Sequence, residues 1–224
     1  MGMMRNVIAV DGPSGVGKSS VCKQLAKKMD WTYLDTGAMY RAVTLAWIGA
    51  ESRPGLLHDD AWLDSLDLDI SNGKMKLDGR FVHKEIRGAE VTDKVSQVAA
   101  AKRVRAKLTQ MQRRIAERKP CILDGRDIGT VVFPEAFLKV FLTADPGIRA
   151  ERRWKQLGGT ESGMTLQEVL ADQERRDRED RERDIAPLVQ ADDAWVLNTD
   201  HLDQEQVVES IWAEAKSRGA ADSA

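Results

Sequence analysis

The chain has 224 residues, 42% of them hydrophobic and 31% charged, with 34 basic and 36 acidic side chains giving a formal net charge of −2. So even a balance gives no global pull toward nucleic acid or an anionic membrane. The two cysteines, Cys22 and Cys121, are too few and too far apart for a disulfide framework or a metal cluster. No apolar run reaches the ~18 residues of a membrane span. The first residues lack the apolar stretch of a secretory signal, so a monomeric cytoplasmic protein is expected.

Arg5 to Asp11 is a β-branched run that stops at a glycine-rich turn, the pattern of a buried strand. Val21, Leu25 and Met29 then recur every fourth residue, which predicts a helix from Lys18 to Met29. Trp31 to Asp35 reads as a second strand, leading through Thr36-Gly37 into a helix with Tyr40, Val43, Leu45 and Trp47. From Leu66 to Arg87 short alternating runs are separated by Ser71-Asn72-Gly73 and Asp78-Gly79, predicting an antiparallel meander. One long helix is expected from about Ala89 to Glu117, ended by Pro120. Cys121–Asp124, Val140–Leu142 and Trp195–Leu197 read as three more buried strands, and Val207, Val208, Ile211 and Trp212 as a last helix. Strands alternating with helices predict an α/β fold with a parallel five-stranded sheet flanked by helices.

Gly12-Pro13-Ser14-Gly15-Val16-Gly17-Lys18-Ser19-Ser20 stands between the first strand and the first helix, the context a P-loop requires. Glycines let successive backbone N–H groups converge on anionic oxygens, and the helix N-terminus adds partial positive charge. Lys18 is expected to reach the outer phosphates of ATP, and the Ser19 hydroxyl to bind Mg²⁺. The motif predicts nucleotide binding and leaves the reaction open.

A GTPase switch would carry Asn-Lys-x-Asp to read guanine, and the sequence has none. A small-molecule kinase instead needs a second anion site and a closing element, because two phosphates must be brought together. Arg41 in Asp35-Thr-Gly-x-x-Tyr-Arg41 and Arg126 in Asp124-Gly-Arg-Asp-Ile-Gly129 each follow a strand end, the edge where open α/β sheets bind ligands. The arginine fork donates two parallel hydrogen bonds to a phosphate. Asp124 itself is a candidate for orienting metal-bound water, or a turn carboxylate. From Arg149 to Arg183 charges of both signs are dense, and most are expected to be a solvated helix. Arg176, Asp180 and Arg183, however, fall at i, i+4 and i+7, on one predicted face. The glycines at 158, 159 and 163 before them suit a mobile lid.

The pieces Asp11-Gly-Pro-Ser-Gly-Val-Gly-Lys-Ser19, Asp35-Thr-Gly-x-x-Tyr-Arg41, Ser96-Gln-Val-Ala-Ala100, Asp124-Gly-Arg-Asp-Ile-Gly-Thr-Val-Val-Phe-Pro134 and Ala186-Pro-Leu188 resemble bacterial cytidylate kinases, from Ile8 to about Ile211. The resemblance implies a P-loop nucleoside monophosphate kinase domain that phosphorylates CMP and dCMP with ATP. Its core would take in residues 1–60, 95–150 and 185–218, with a monophosphate-binding insertion at about 60–95, an arginine-rich lid at about 152–183 and a frayed tail at 219–224. It further implies that Arg41, Arg126 and Arg183 hold the acceptor phosphate. Ser96, Arg105 and Asp127 would read cytosine, and Arg176 and Asp180 would face the sugar. On the residues alone, Ser96 reads as a helix-face serine and Arg105 as a surface charge. Thr36 supplies a hydroxyl where relatives carry serine, and Glu179 stands where they are more basic. Lys18, Arg126, Arg183 and a lid arginine, Arg149 or Arg153, would then cancel phosphate–phosphate repulsion during transfer.

Overall fold

The computed structural model describes residues 4–71 and 73–220, so Asn72 of the first predicted turn lies outside the described residues. The chain divides into two compact units, Met1–Tyr33 with Lys119–Ala224, and Leu34–Arg118. The first unit is built on a five-stranded sheet in the order β2-β6-β1-β7-β8. In chain order its elements are β1 (Met4–Asp11), α1 (Lys18–Met29) and β2 (Thr32–Asp35), within which the boundary between units falls. The chain returns to this unit at β6 (Cys121–Gly125), followed by β7 (Ala136–Thr143), α6 (Pro146–Gln156), α7 (Leu166–Glu182), β8 (Trp195–Asn198) and α8 (Gln204–Ser217).

All five predicted strands are present, and β1, β6, β7 and β8 pair in parallel. Parallel strands need both faces covered, and these read as near-continuous apolar runs for that reason. Ile8, Val10, Ile122, Leu138, Val140 and Leu142 form one core with Val21, Cys22 and Leu25 of α1 and Val207, Val208 and Ile211 of α8. The register sets Asp11 beside Gly125. The turn after β1 and the Arg126-Asp127 segment after β6 therefore leave the sheet side by side, at its carboxyl edge.

The second unit holds α2 (Thr36–Gly49), α3 (Asp60–Ser65), β3 (Leu68–Ser71), β4 (Lys74–Leu77), β5 (Arg80–Phe81), α4 (Ala89–Ala100) and α5 (Lys102–Ala116). β3, β4 and β5 form the predicted antiparallel meander, with Leu68 opposite Leu77. Its second turn is the left-handed pair that Asp-Gly favours, Asp78 at φ 50° and Gly79 at φ 75°. The insertion expected at about 60–95 lies inside this unit, which also takes in α2 and α5.

The single helix expected over Ala89–Glu117 is two. Ala101 leaves the helical region at φ −73°, ψ 119°, separating α4 from α5. The cause lies in Arg105, which is only 4% exposed. Its guanidinium donates to the Ala99 carbonyl at 2.9 Å, satisfying a group that a continuous helix would have bonded from within. At the C-terminus, Gly219 (φ 90°) closes α8, and the Ala220 amide donates back to the Ala215 carbonyl at 2.9 Å. The tail expected to fray from 219 is thus capped at its start, and residues 221–224 lie outside the described residues.

Candidate active site

The nine residues from Gly12 to Ser20 form the expected turn and helix start. Gly12 has φ +148°, and a Cβ there would sit 2.3 Å from the Leu142 carbonyl oxygen, so the turn hugs β7 in a way only glycine allows. Gly17 (φ 96°) precedes α1, whose first turn carries no acidic residue to offset its positive end. Lys18 is buried, and its Nζ donates to the carbonyls of Gly12 and Pro13, both at 2.7 Å. Burial, and next the charge of Arg126, lower its pKa to about 7 against the pull of Asp124, Asp11 and Asp177. The Ser19 hydroxyl donates to Asp124 Oδ2 at 2.7 Å, and the Tyr33 hydroxyl to Oδ1 at 2.9 Å. Asp124 is therefore tied to the P-loop helix rather than left as a turn carboxylate. A hydroxyl beside a carboxylate is the hard oxygen set that fits Mg²⁺.

Two of the expected cations, Arg126 and Arg183, come together at the end of β6. Arg126 Nε donates to Asp180 Oδ2 at 2.7 Å. Arg183 lies 3.5 Å from Asp180 Oδ1 and 3.6 Å from Asp127 Oδ1, and its Nε donates to the Ala186 carbonyl at 2.7 Å. Burial works against the Arg126 charge, but Asp180 and then Asp177 and Asp124 outweigh it and raise its pKa above the ordinary arginine value. The three residues expected on one helical face do not share it. α7 ends at Glu182, and Arg183 reaches Asp180 as an extended cap residue at φ −65°, ψ 139°. Arg176 shares α7 with Asp180 but pairs with Asp172, at 2.9 Å.

Three polar residues that the sequence reading did not single out, Asp177, Gln173 and Asp11, join Arg149 in this unit's site. Asp177, 1% exposed, accepts from the Ser14 amide at 2.8 Å and pairs with Arg149 at 2.6 Å. Arg149, 3% exposed, also donates to the Ser14 carbonyl at 2.7 Å. Gln173 occupies the space above Gly15, where a Cβ would meet its Nε2 at 2.2 Å. The charged helix is therefore not a solvated one throughout. It buries a stripe, Val169, Gln173, Asp177 and Asp180, that carries one apolar side chain and three polar ones. Spacing at i, i+4, i+8 and i+11 was the available signal, masked by the surrounding charges. Of the two arginines expected to serve a lid, Arg149 is the one bonded to the P-loop; Arg153, one turn further along α6, is half-buried.

Asp11, the third such residue, is 5% exposed. Its two carboxylate oxygens accept the amides of Ile128 (2.9 Å) and Gly129 (2.7 Å). Burial raises its pKa from 3.8 to about 6, against those two hydrogen bonds and the Lys18 charge and with the help of Asp127. A carboxyl raised in the folded state keeps a proton that the unfolded chain releases, so it withdraws stability as pH rises between those two values. Asp11→Asn lacks this dependence. From about pH 4.5 to 7 its unfolding free energy should gain about 2 kcal/mol on the parent's, read from paired denaturant titrations. A difference that stays flat with pH would show that Asp11 is ionised at no cost.

In the second unit, Thr36 is buried at the start of α2, capped by Asp35, which accepts from the Ala38 amide at 2.8 Å. Arg41 donates to Thr92 Oγ1 at 2.8 Å and to the Ile86 carbonyl at 3.2 Å. Ser96 is half-buried on α4. Arg105 is not a surface charge: it lies over the Tyr40 ring, 5.4 Å from its centre, while holding the end of α4.

Residues 8–217 match the cytidylate kinase family. The chain is 42% identical to a cytidylate kinase of Chloroherpeton thalassium, over 92% of this chain and 91% of that protein. It is 43% identical to one from Clostridioides difficile (92% and 95%) and 44% identical to one from Parabacteroides distasonis (91% and 93%). Among solved structures, an uncharacterized protein from Eubacterium ventriosum superposes with a TM-score of 0.53 at 12% identity, covering 95% of this chain and 99% of that one, a likeness of fold alone. With a P-loop, a parallel sheet and a separate antiparallel meander in place, and a family match across almost its whole length, the chain belongs to the cytidylate kinase family.

Proposed function

We propose that this protein phosphorylates CMP and dCMP with ATP. A 5′-phosphate oxygen of the acceptor attacks the γ-phosphorus in line, a new P–O bond forms, and the bond to the β–γ bridging oxygen breaks to release ADP. The acceptor is already an anion at neutral pH, so no general base is needed. The observation that carries this reading is the gathering of Arg126, Arg183, Asp127 and Asp180 where β6 leaves the sheet beside β1 and its P-loop.

In this reading the Gly12–Ser20 backbone and Lys18 hold the ATP phosphates. Ser19 would hold Mg²⁺, which when bound neutralises charge on the β- and γ-phosphates. Arg126 and Arg183 bind the acceptor phosphate, and Arg41 is assigned to the same phosphate by the family resemblance. Asp127 accepts from the cytosine amino group, and Arg105 and Ser96 donate to its ring acceptors. Arg176 and Asp180 serve the sugar, and Thr36 adds a hydroxyl near the acceptor. Arg149 and Arg153 are the lid arginines; Arg149, already bonded to the P-loop at Ser14, is the stronger contributor. Segment 152–183 acts as the lid. Asp180 and Asp177 pair with Arg126 and Arg149, two of the guanidinium groups assigned to phosphates in this reading, and so compensate these buried cations. The enzyme works as a cytoplasmic monomer.

Initial rates with MgATP and a panel of CMP, dCMP, UMP, AMP and GMP test the function. CMP and dCMP should exceed the others in kcat/KM by at least about tenfold, the worth of one mismatched buried hydrogen bond. A panel led by UMP or a purine nucleotide would refute the assignment.

A further inference from the structure

The short helical turn Ile128–Val132 begins after Asp127, which sits at the position whose side chain ordinarily caps a helix start. Aspartate is among the best residues for that task, yet the Asp127 carboxylate makes no capping bond. The first two amides of the turn are instead taken by Asp11, from the end of another strand, at 2.9 and 2.7 Å. Glycine at 129 is part of the arrangement. A Cβ there would lie 3.1 and 3.2 Å from the Lys139 stem, which would have to shift, and 3.4 Å from Asp11 Oδ2. Relieved of the cap, Asp127 stands 3.6 Å from Arg183, in the cluster after β6.

We propose that Asp11 is a positioning residue for base selection: by capping the Ile128–Val132 turn itself, it keeps the Asp127 carboxylate out of the cap and turned toward the acceptor. The inference rests on the reading that Asp127 accepts from cytosine. Burial disfavours the Asp11 charge, so these two amide bonds are made against a desolvation cost. An aspartate at 127 folded back on its own turn would reach the Gly129 amide, one of the two that Asp11 holds.

Asp11→Asn keeps the shape but offers one acceptor and one donor where two acceptors are needed. Asp127 should then swing back to cap the exposed amide. The ratio of kcat/KM for CMP to that for UMP is expected to fall by about tenfold, the scale of one lost buried hydrogen bond, with KM for ATP nearly unchanged. Any effect of the missing charge on nearby Lys18 acts on both acceptors alike and cancels in the ratio. In the Asp127→Ala background, Asp11→Asn should lower the ratio no further, because the residue it positions is gone. An Asp11→Asn enzyme with the parent's ratio, beside an Asp127→Ala enzyme that has lost it, would overturn the inference and leave the role of Asp127 standing. An unchanged ratio in Asp127→Ala would remove both. Should the asparagine variant fail to fold, Asp11→Glu, which moves the charge out by one methylene, is read in the same way.

Discussion

Replacing Arg126 by alanine is expected to lower kcat for CMP by about 10²–10³-fold while KM for ATP stays close to the parent's, the usual scale for removing one preorganised charge donor. The reason is the position of the guanidinium. It follows β6 directly, donates to Asp180, and keeps its full charge in spite of burial. A phosphate replacing Asp180 would meet a donor already in place, with no charge to create and little reorganisation. The fold should survive, because Asp180 retains Arg183 at 3.5 Å and Arg126 is not part of the core. Parent-like turnover in a folded variant would mean that Arg126 serves only to neutralise Asp180.

Asp127→Ala should act on choice rather than rate of handling ATP. Cytosine offers an amino donor where uracil offers a carbonyl, so a buried carboxylate accepts from one and repels the other. Losing that contact should cost CMP about 1–3 kcal/mol of preference over UMP, a factor of about 10 to 100 in competition assays. The turn after Asp127 should hold, since its amides bond to Asp11 and the backbone bonds from Val131 and Val132 go to the Asp127 carbonyl. Unchanged discrimination would take Asp127 out of base recognition.

Much of this was legible before any coordinates. Apolar runs ending at Gly12 and after Asp124 placed the two strand ends, and their register follows from parallel pairing. Asp78-Gly79 needs left-handed backbone at both positions and took it. What escaped the sequence were features decided by tertiary partners. Nothing in the Ala-rich stretch at 99–101 signals a break, because the break is stabilised by Arg105 reaching back to a carbonyl. The α7 stripe hid because its buried members are polar: Asp177 belongs inside only when Arg149 and the Ser14 amide are there to meet it. Arg183 obeyed helical spacing in the sequence but not in space, since the helix ended one residue before it. Asp11 passed as the last residue of a strand, and its two amide partners lie on a segment whose position only the sheet defines.

The central claim is that the guanidinium groups after β6 and α7 are phosphate ligands. The most direct measurement is a crystal structure with CMP and a non-hydrolysable ATP analogue. Arg126 and Arg183 should each place a nitrogen within hydrogen-bonding distance of the CMP phosphate, with Arg126 having left Asp180. A complex in which CMP is bound while Arg126 remains on Asp180, and the phosphate is held by other groups, would contradict it.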